Sequence, residues 1–478
     1  MTATKRWLGL GVSVGLLAVS CGAESASPAT SDTPQTQVSN APGLVEPSES
    51  TEPVTEAPVA TEAPANSSTT TSVPSFSLPS FSVLSEQLFD QAALHEIDIE
   101  ISDDGLALLD PPTDDRVPVR LTVDGSTVDD AGLRLKRGFG QFQGLDEKPG
   151  FSIETDEFVD GSTLFDVDRF TLGNSVWDHS FVNEQLVYEL YRAAGVPAPR
   201  TALARVTVNG ETFGLYVMRE TYDERLLAQY FVDPTGNLYE ATGAHGAPDM
   251  GLELRTNERR DDTSDLAAIA EVVATASDDE YRDAIEELVD VDQLLTYWAL
   301  EALTGHGDGF VYDLTAPGVL PAVDDLPPGN PYPNNFYAYH DPGSGRFVFL
   351  PHGADLVLGL KSWFTYVVGP STPVLIAPKV DATVAARLWE DPAFRDELAE
   401  RMRWVLDEIW DVQALIARTD MFADLVRADG LSGSRETITM TQFENALVDR
   451  KDFLTRRPEA VRAELATWDP GAAQAEEP

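Results

Sequence analysis

Cysteine is all but missing from this chain: Cys21 is the single one in 478 residues. No intramolecular disulfide can form, so the folded part must be large enough to hold together by burial alone. Lysine is scarce as well. Six of the 33 basic residues are lysines (Lys5, Lys136, Lys148, Lys361, Lys379 and Lys451), set against 80 acidic residues and a formal charge of −47. That balance argues against a nucleic-acid partner or an anionic lipid surface, because both require clustered Lys and Arg. No Lys or Arg occurs between Arg6 and Arg116. No apolar run reaches the roughly 20 residues a membrane-spanning helix needs. A Gly-x-Ser-x-Gly elbow is absent too, so serine-nucleophile chemistry has no support.

What is present begins with Lys5 and Arg6, an apolar run from Trp7 to Val19, and the small residues of Ala18-Val19-Ser20 before Cys21. That order is a secretory signal, and a cysteine at its cleavage point is the lipid acceptor of a bacterial lipoprotein signal. We therefore expect a signal over 1–21, lipid on Cys21, and an extracytoplasmic location, lipid-anchored to a bacterial membrane. Residues 22–85 are mostly Ser, Thr, Pro, Ala, Glu and Val. With few large apolar residues they read as a disordered tether, reaching on the order of 45 Å. The tail over 468–478 has the same character.

From residue 86 the pattern becomes that of a folded domain. HEIDIEIS (95–102), VPVRLTV (117–123), AGLRLKR (131–137), GFSIETDEF and RFTLGN read as strands between Asp, Gly and Pro turns. TALARVTVNGETFGLYVM reads as a hairpin turning at Asn209-Gly210. A helix is expected from Phe181 to Ala194, capped by Gly195. Beyond residue 221 helical periods dominate, over 264–275, 278–289, 291–304, 383–390, 393–418 and 442–466, interrupted by a short strand pair in NNFYAYHDPGSGRFVFLP. The expectation is an α+β domain over 86–467, with a strand-rich half at about 86–220 and a helix-rich half at about 221–467.

Three places could carry chemistry. Asp308 lies in the glycine-rich loop GHGDGF, Asn334 and Asn335 precede a strand, and Asp355 follows LPHGA. Two carboxylates and an amide oxygen are hard ligands suited to Mg²⁺ on a nucleotide's phosphates, although the same residues also serve as ordinary turn formers. Strand AGLRLKR runs into Gly138, Gly140 and Gly144, a loop able to cradle phosphates. The lysine serving such a site from the strand-rich half would be Lys136 or Lys148, with Glu220 as a candidate partner. A competing set is His306, His340 and His352, whose imidazoles beside the same acids would suit a zinc hydrolase.

Several blocks taken together resemble the CotH (spore coat protein H) kinase family. They are LFDQAALHEIDIEIS, LRLKRGFGQF, LDEKPGFSIETDEFVDG, FVNEQLVYELYRAAGVPAPRTALARVTVNGETFGLYVMRE, DGF, NNFYAYHDPGSGRFVFLPHGAD and the long C-terminal helix. The resemblance implies a divergent protein-kinase-like, two-lobed fold and phosphorylation of protein serine with ATP and Mg²⁺ or Mn²⁺. It further implies that Asp308 orients the substrate hydroxyl, that Asn335 and Asp355 bind metal, and that Lys136 or Lys148 meets the phosphates with Glu220 nearby. Three positions depart from the family. Ser152 stands where a basic residue is frequent, His352 where Trp is usual, and Gly353 where many members carry the first acid of Trp-Asp-x-Asp. The alternative reading is a catalytically silent cell-surface protein that holds a protein partner or wall polymer in the same cleft.

Overall fold

Seven strands close into a barrel in the computed structural model, which describes residues 81–110, 115–136, 142–241, 251–315, 332–359 and 368–469. The signal, Cys21, nearly all of the tether, Arg137, Gly138, Gly140 and the end of the tail lie outside the described residues. The strands are β1 (Leu94–Ile101), β2 (Val117–Val123), β3 (Ser126–Leu135), β4 (Phe151–Glu154), β5 (Arg169–Gly173), β6 (Thr201–Val208) and β7 (Glu211–Glu220). Around the barrel the order is β1-β2-β3-β4-β5-β7-β6. Neighbours run antiparallel except at the closure, where β1 lies parallel to β6 with Leu94 opposite Leu203. Ile97, Ile99, Leu121, Leu133, Phe151 and Met218 are among the side chains that fill the interior. Burying each contributes roughly 1.5–3 kcal/mol. Alternation in the sequence marks these strands but not the closure, because a period of two says which face is buried and not which strand meets which.

The barrel is dry on the outside only along one arc. β2 alternates buried and exposed residues, whereas β6 begins with four buried residues in a row. Leu203, Leu215 and Val217 face outward into a second core shared with the helices. Against this arc lies α3 (Asn183–Ala193). Three short helices were not anticipated: α1 (Val83–Leu88), α2 (Asp103–Leu109) and α4 (Glu224–Tyr230). Each is capped by a side chain at its first turn (Ser82, Ser102 and Asp223) and is too short to show a helical period. α1 falls partly inside the stretch assigned to the tether, so the folded part begins before residue 86.

The second half is helical, as expected: α5 (Ser264–Thr275), α6 (Asp278–Glu286), α7 (Val291–Thr304), α8 (Thr383–Glu390), α9 (Pro392–Trp404), α10 (Val412–Asp429) and α11 (Met440–Thr467). The single helix expected over 393–418 is two. A π turn at Val405–Ile409 ends α9, and the Asp411 carboxylate starts α10 by accepting from Gln413 N at 2.9 Å and Ala414 N at 3.1 Å. A four-stranded sheet in the order β11-β10-β8-β9 completes the half, from β8 (Leu238–Ala241), β9 (Leu252–Leu254), β10 (Phe336–Asp341) and β11 (Arg346–Pro351).

α7 is the axis of this half, buried along its whole length apart from Asp292. The Gln293 side chain donates to Phe349 O at 2.6 Å and accepts from Phe349 N at 3.0 Å, fixing β11 against it. At the other end Arg457 of α11 donates to Ala302 O at 2.8 Å and Leu303 O at 3.1 Å, satisfying carbonyls that the end of a helix leaves open.

Candidate functional site

The helix α7 stops at Gly305, whose φ of +74° gives the left-handed C-cap. The loop after it carries Asp308. Asn335 Nδ2 donates to Asp308 Oδ2 at 2.7 Å and to Asp308 O at 3.1 Å, and Asn334 Nδ2 reaches Asp308 Oδ1 at 3.4 Å. Asn335 holds a φ of +49°, a conformation Asn tolerates better than most residues. His352 N donates to Asn335 O at 3.1 Å, which brings in the loop after β11. In that loop Gly353 has a φ of +55°, and a Cβ there would collide with the Asn335 amide oxygen. The absent side chain at 353 therefore leaves that oxygen uncovered, a physical reason for one of the departures noted above.

Asp355 follows two residues later. Its backbone carbonyl accepts from Asn183 Nδ2, at the start of α3, at 2.7 Å. The Asn183 Oδ1 in turn accepts from Arg450 of α11 at 2.6 Å. Burial pushes the Asp355 carboxyl up to about 7; the charges of Glu184 and Asp308 push the same way, against Arg219 and Lys136. Lys136, just past β3, is the cation on the barrel side. Burial brings its ammonium down to about 8, and neighbouring Arg219 adds to this, while Glu184 and Asp355 oppose it. Arg219 of β7 is itself paired with Glu184 of α3. The cluster thus combines three acids (Asp308, Asp355 and Glu184), two bases (Lys136 and Arg219) and an amide oxygen. Asp308, Asn335, Asp355 and Lys136 are all half-buried, so the group borders solvent.

The structure brings four of the sequence candidates together, Lys136, Asp308, Asn335 and Asp355, and places two elsewhere. Lys148 is fully buried on another part of the barrel wall, donating to Glu436 Oε2 at 2.7 Å. Glu220 is not the partner of a lysine. Arg200 Nη2 donates to its Oε1 at 2.6 Å and Arg200 Nε to its Oε2 at 2.9 Å. Alternation along β7 explains this, since Arg219 faces α3 and Glu220 points the other way. Glu184 and Arg219 were missed. The signal for Arg219 lay in the strand itself, where only one of two adjacent charged residues can face the helical half.

The three histidines do not form one site. His340 pairs with Asp265 through Nδ1 at 3.2 Å, while fully buried His306 and half-buried His352 lie beside the Asp308 cluster. Burial holds the His306 ring down to about 4 and His352 well below its usual value, so both stay neutral near pH 7. Among the described residues no group of three or more His, Cys, Asp or Glu side chains is arranged to hold a metal. Two carboxylates with an amide oxygen do not need such a cage when water and a ligand's phosphates complete the shell, which is how Mg²⁺ is commonly held.

The cluster sets acids and an amide beside a lysine and an arginine. A sequence profile described as CotH kinase protein matches residues 137–461. The chain therefore belongs to the CotH kinase family. It is similar to inner spore coat protein H of Bacillus subtilis (strain 168), 26% identical over 149 residues, or 28% of this chain and 41% of that protein. The similarity thus spans less than half the length of that relative.

Proposed function

We propose that this chain is an exported, lipid-anchored protein kinase of the CotH type. It would pass the γ-phosphoryl group of ATP to Ser or Thr hydroxyls of surface or secreted proteins. The observation that carries the reading is the Asp308–Asn335–Asp355 convergence. One amide donates to the prospective base, while its oxygen lies on the side of Gly353, where a Cβ would meet it. That set fits a cation: burial first, then the charges of Glu184 and Asp308, push the Asp355 carboxyl up to about 7, and a divalent ion would relieve it. Asn335 Oδ1 and Asp355 would hold Mg²⁺ or Mn²⁺, which when bound neutralises phosphate charge.

The protein's own groups account for the remaining requirements. Lys136, beside Arg219, meets the phosphates from the barrel side. Asp308, fixed by the Asn335 and Asn334 amides, orients the incoming hydroxyl and accepts its proton. A bond forms between that oxygen and the γ-phosphorus, the bond to the bridging oxygen breaks, and ADP leaves. A silent binding protein using the same cleft is the second reading. It is favoured by Glu184 being committed to Arg219 rather than to Lys136.

The test is incubation of the full chain with γ-labelled ATP and Mn²⁺ beside Asp308→Ala and Asp355→Ala. Label on the wild type, cut about 10²–10⁴-fold in Asp308→Ala, is expected if Asp308 acts as the base. No label on any of the three, and no thermal shift from ATP and metal, would leave the binding protein. Export and anchoring are supported by the order of residues 5–21 alone. Palmitate labelling of the wild type but not of Cys21→Ala is the discriminating result, and equal labelling removes the anchor.

A further inference from the structure

Two buried charges hold the Asp308 loop from behind and take no part in the chemistry above. Glu301, in the last turn of α7, accepts from Val311 N and Tyr312 N at 2.7 Å each. Lys379, in the stretch before α8, is fully buried. Its Nζ donates to Gly309 O at 2.7 Å and to Tyr332 O at 3.0 Å. Gly309 directly follows Asp308, and its carbonyl also accepts from Asn334 N at 3.1 Å. Tyr332 stands two residues before Asn334. One ammonium therefore ties together two segments distant in sequence, one bearing Asp308 and the other Asn335. The fit is close: a Cβ on Gly309 would come within 2.7 Å of the Glu301 carboxyl carbon and 3.0 Å of His306 Nδ1.

Stability alone does not account for this lysine. A buried charge has a desolvation penalty that a well-packed apolar side chain of the same volume avoids. What the ammonium supplies and an apolar group cannot is a pair of donors aimed at two carbonyls on different segments.

We infer that Lys379 is a positioning residue that sets the span between Asp308 and Asn335 and, through it, the affinity of this group for a divalent ion. The inference rests on the kinase reading above. Lys379 holds the two segments through their backbone carbonyls, and its charge also faces the Asp308 carboxylate. Groups that orient ligands in this indirect way typically change metal affinity 10–100-fold when removed.

The test uses the full chain with Lys379→Gln, whose shorter amide cannot reach both carbonyls. Free Mn²⁺ is measured by electron paramagnetic resonance in the presence of ATP. Hydrogen exchange is followed in peptides covering 305–315 and 332–337. The expected result is Mn²⁺ binding weakened 10–100-fold and faster exchange in both segments. The rate at saturating Mn²⁺ should return to within a few-fold of wild type. Unchanged Mn²⁺ affinity, whatever the rate, overturns the assignment. If Lys379→Gln does not fold, Lys379→Met, which keeps the length of the side chain without a donor, is read in the same way: weaker Mn²⁺ binding with both segments loosened supports it, and wild-type or tighter affinity overturns it. Wild-type protein that binds neither Mn²⁺ nor ATP would sink the kinase reading itself, a result distinct from an unaffected variant.

Discussion

Two lysines that look alike in sequence have opposite duties in the fold. Lys148 is sealed between the Phe181 and Tyr216 rings, 5.3 and 5.1 Å from its Nζ, and closes an ion pair with Glu436. Lys148→Met would strand the Glu436 carboxylate inside the protein, at a cost of about 3–5 kcal/mol. Lys136 instead borders solvent next to a second cation, and Lys136→Met relieves that crowding. We expect a large drop in melting temperature for the first variant with ATP binding intact in whatever folds, and an unchanged or raised melting temperature with ATP binding lost for the second. Equal thermal losses in both would refute the division. Sequence could not separate these lysines, because Lys148 finds its partner 288 residues away. Asp308, Asn335 and Asp355 could be singled out because acids and an amide in such loops are hard oxygen ligands, although the same residues also form ordinary turns. Glu184 was hidden because an acid in the first turn of a helix is ordinary there.

Among the elements, long helices were legible almost to the residue: α5, α7 and α8 match their expected spans. The break between α9 and α10 was not, since a π turn preserves the run of apolar positions that a periodicity reads. β8 and β9 were lost because strands of four and three residues carry too few alternations. β8 and β10 do anchor α5, and this contact is sensitive to pH. Asp265 of α5 accepts from Tyr239 OH at 2.6 Å and meets His340 Nδ1 at 3.2 Å. The bond to Asp265 raises the imidazole above its usual value of 6.5, with partial burial opposing. A base whose folded-state value is raised stabilises fully below its unfolded value and loses that contribution as pH climbs through the folded one. Wild type should therefore outlast His340→Gln at pH 5.5 by up to about 1 kcal/mol, with the advantage shrinking by pH 8. An advantage independent of pH between those values would mean that the charged pair contributes nothing.

At the scale of the whole molecule the feature that matters most is the parallel seam between β1 and β6. The α+β division into a strand-rich and a helical half was legible from composition and period. The closure was not, since it depends on a pairing that no local pattern encodes. Deleting residues 81–101 removes α1 and β1, opens the barrel and uncovers the inner face formed by residues such as Leu121 and Val206. Such a protein should bind a hydrophobic dye and lose its cooperative thermal transition; a soluble deletion that melts like the wild type would contradict the seam's importance. The family match begins at residue 137, after β1, β2, β3 and Lys136. A fragment cut at that boundary would lack three of seven staves and Lys136.

The seam also dictates an order of events during synthesis. Leu94 waits for Leu203, more than a hundred residues later, before the ring can shut. Until β6 has emerged, β1 has β2 on one flank and an open row of amides and carbonyls on the other. A ribosome stalled anywhere in that interval holds a sheet ready to pair with its neighbours. The nascent chain is therefore most prone to aggregate before its first-made strand meets its last partner.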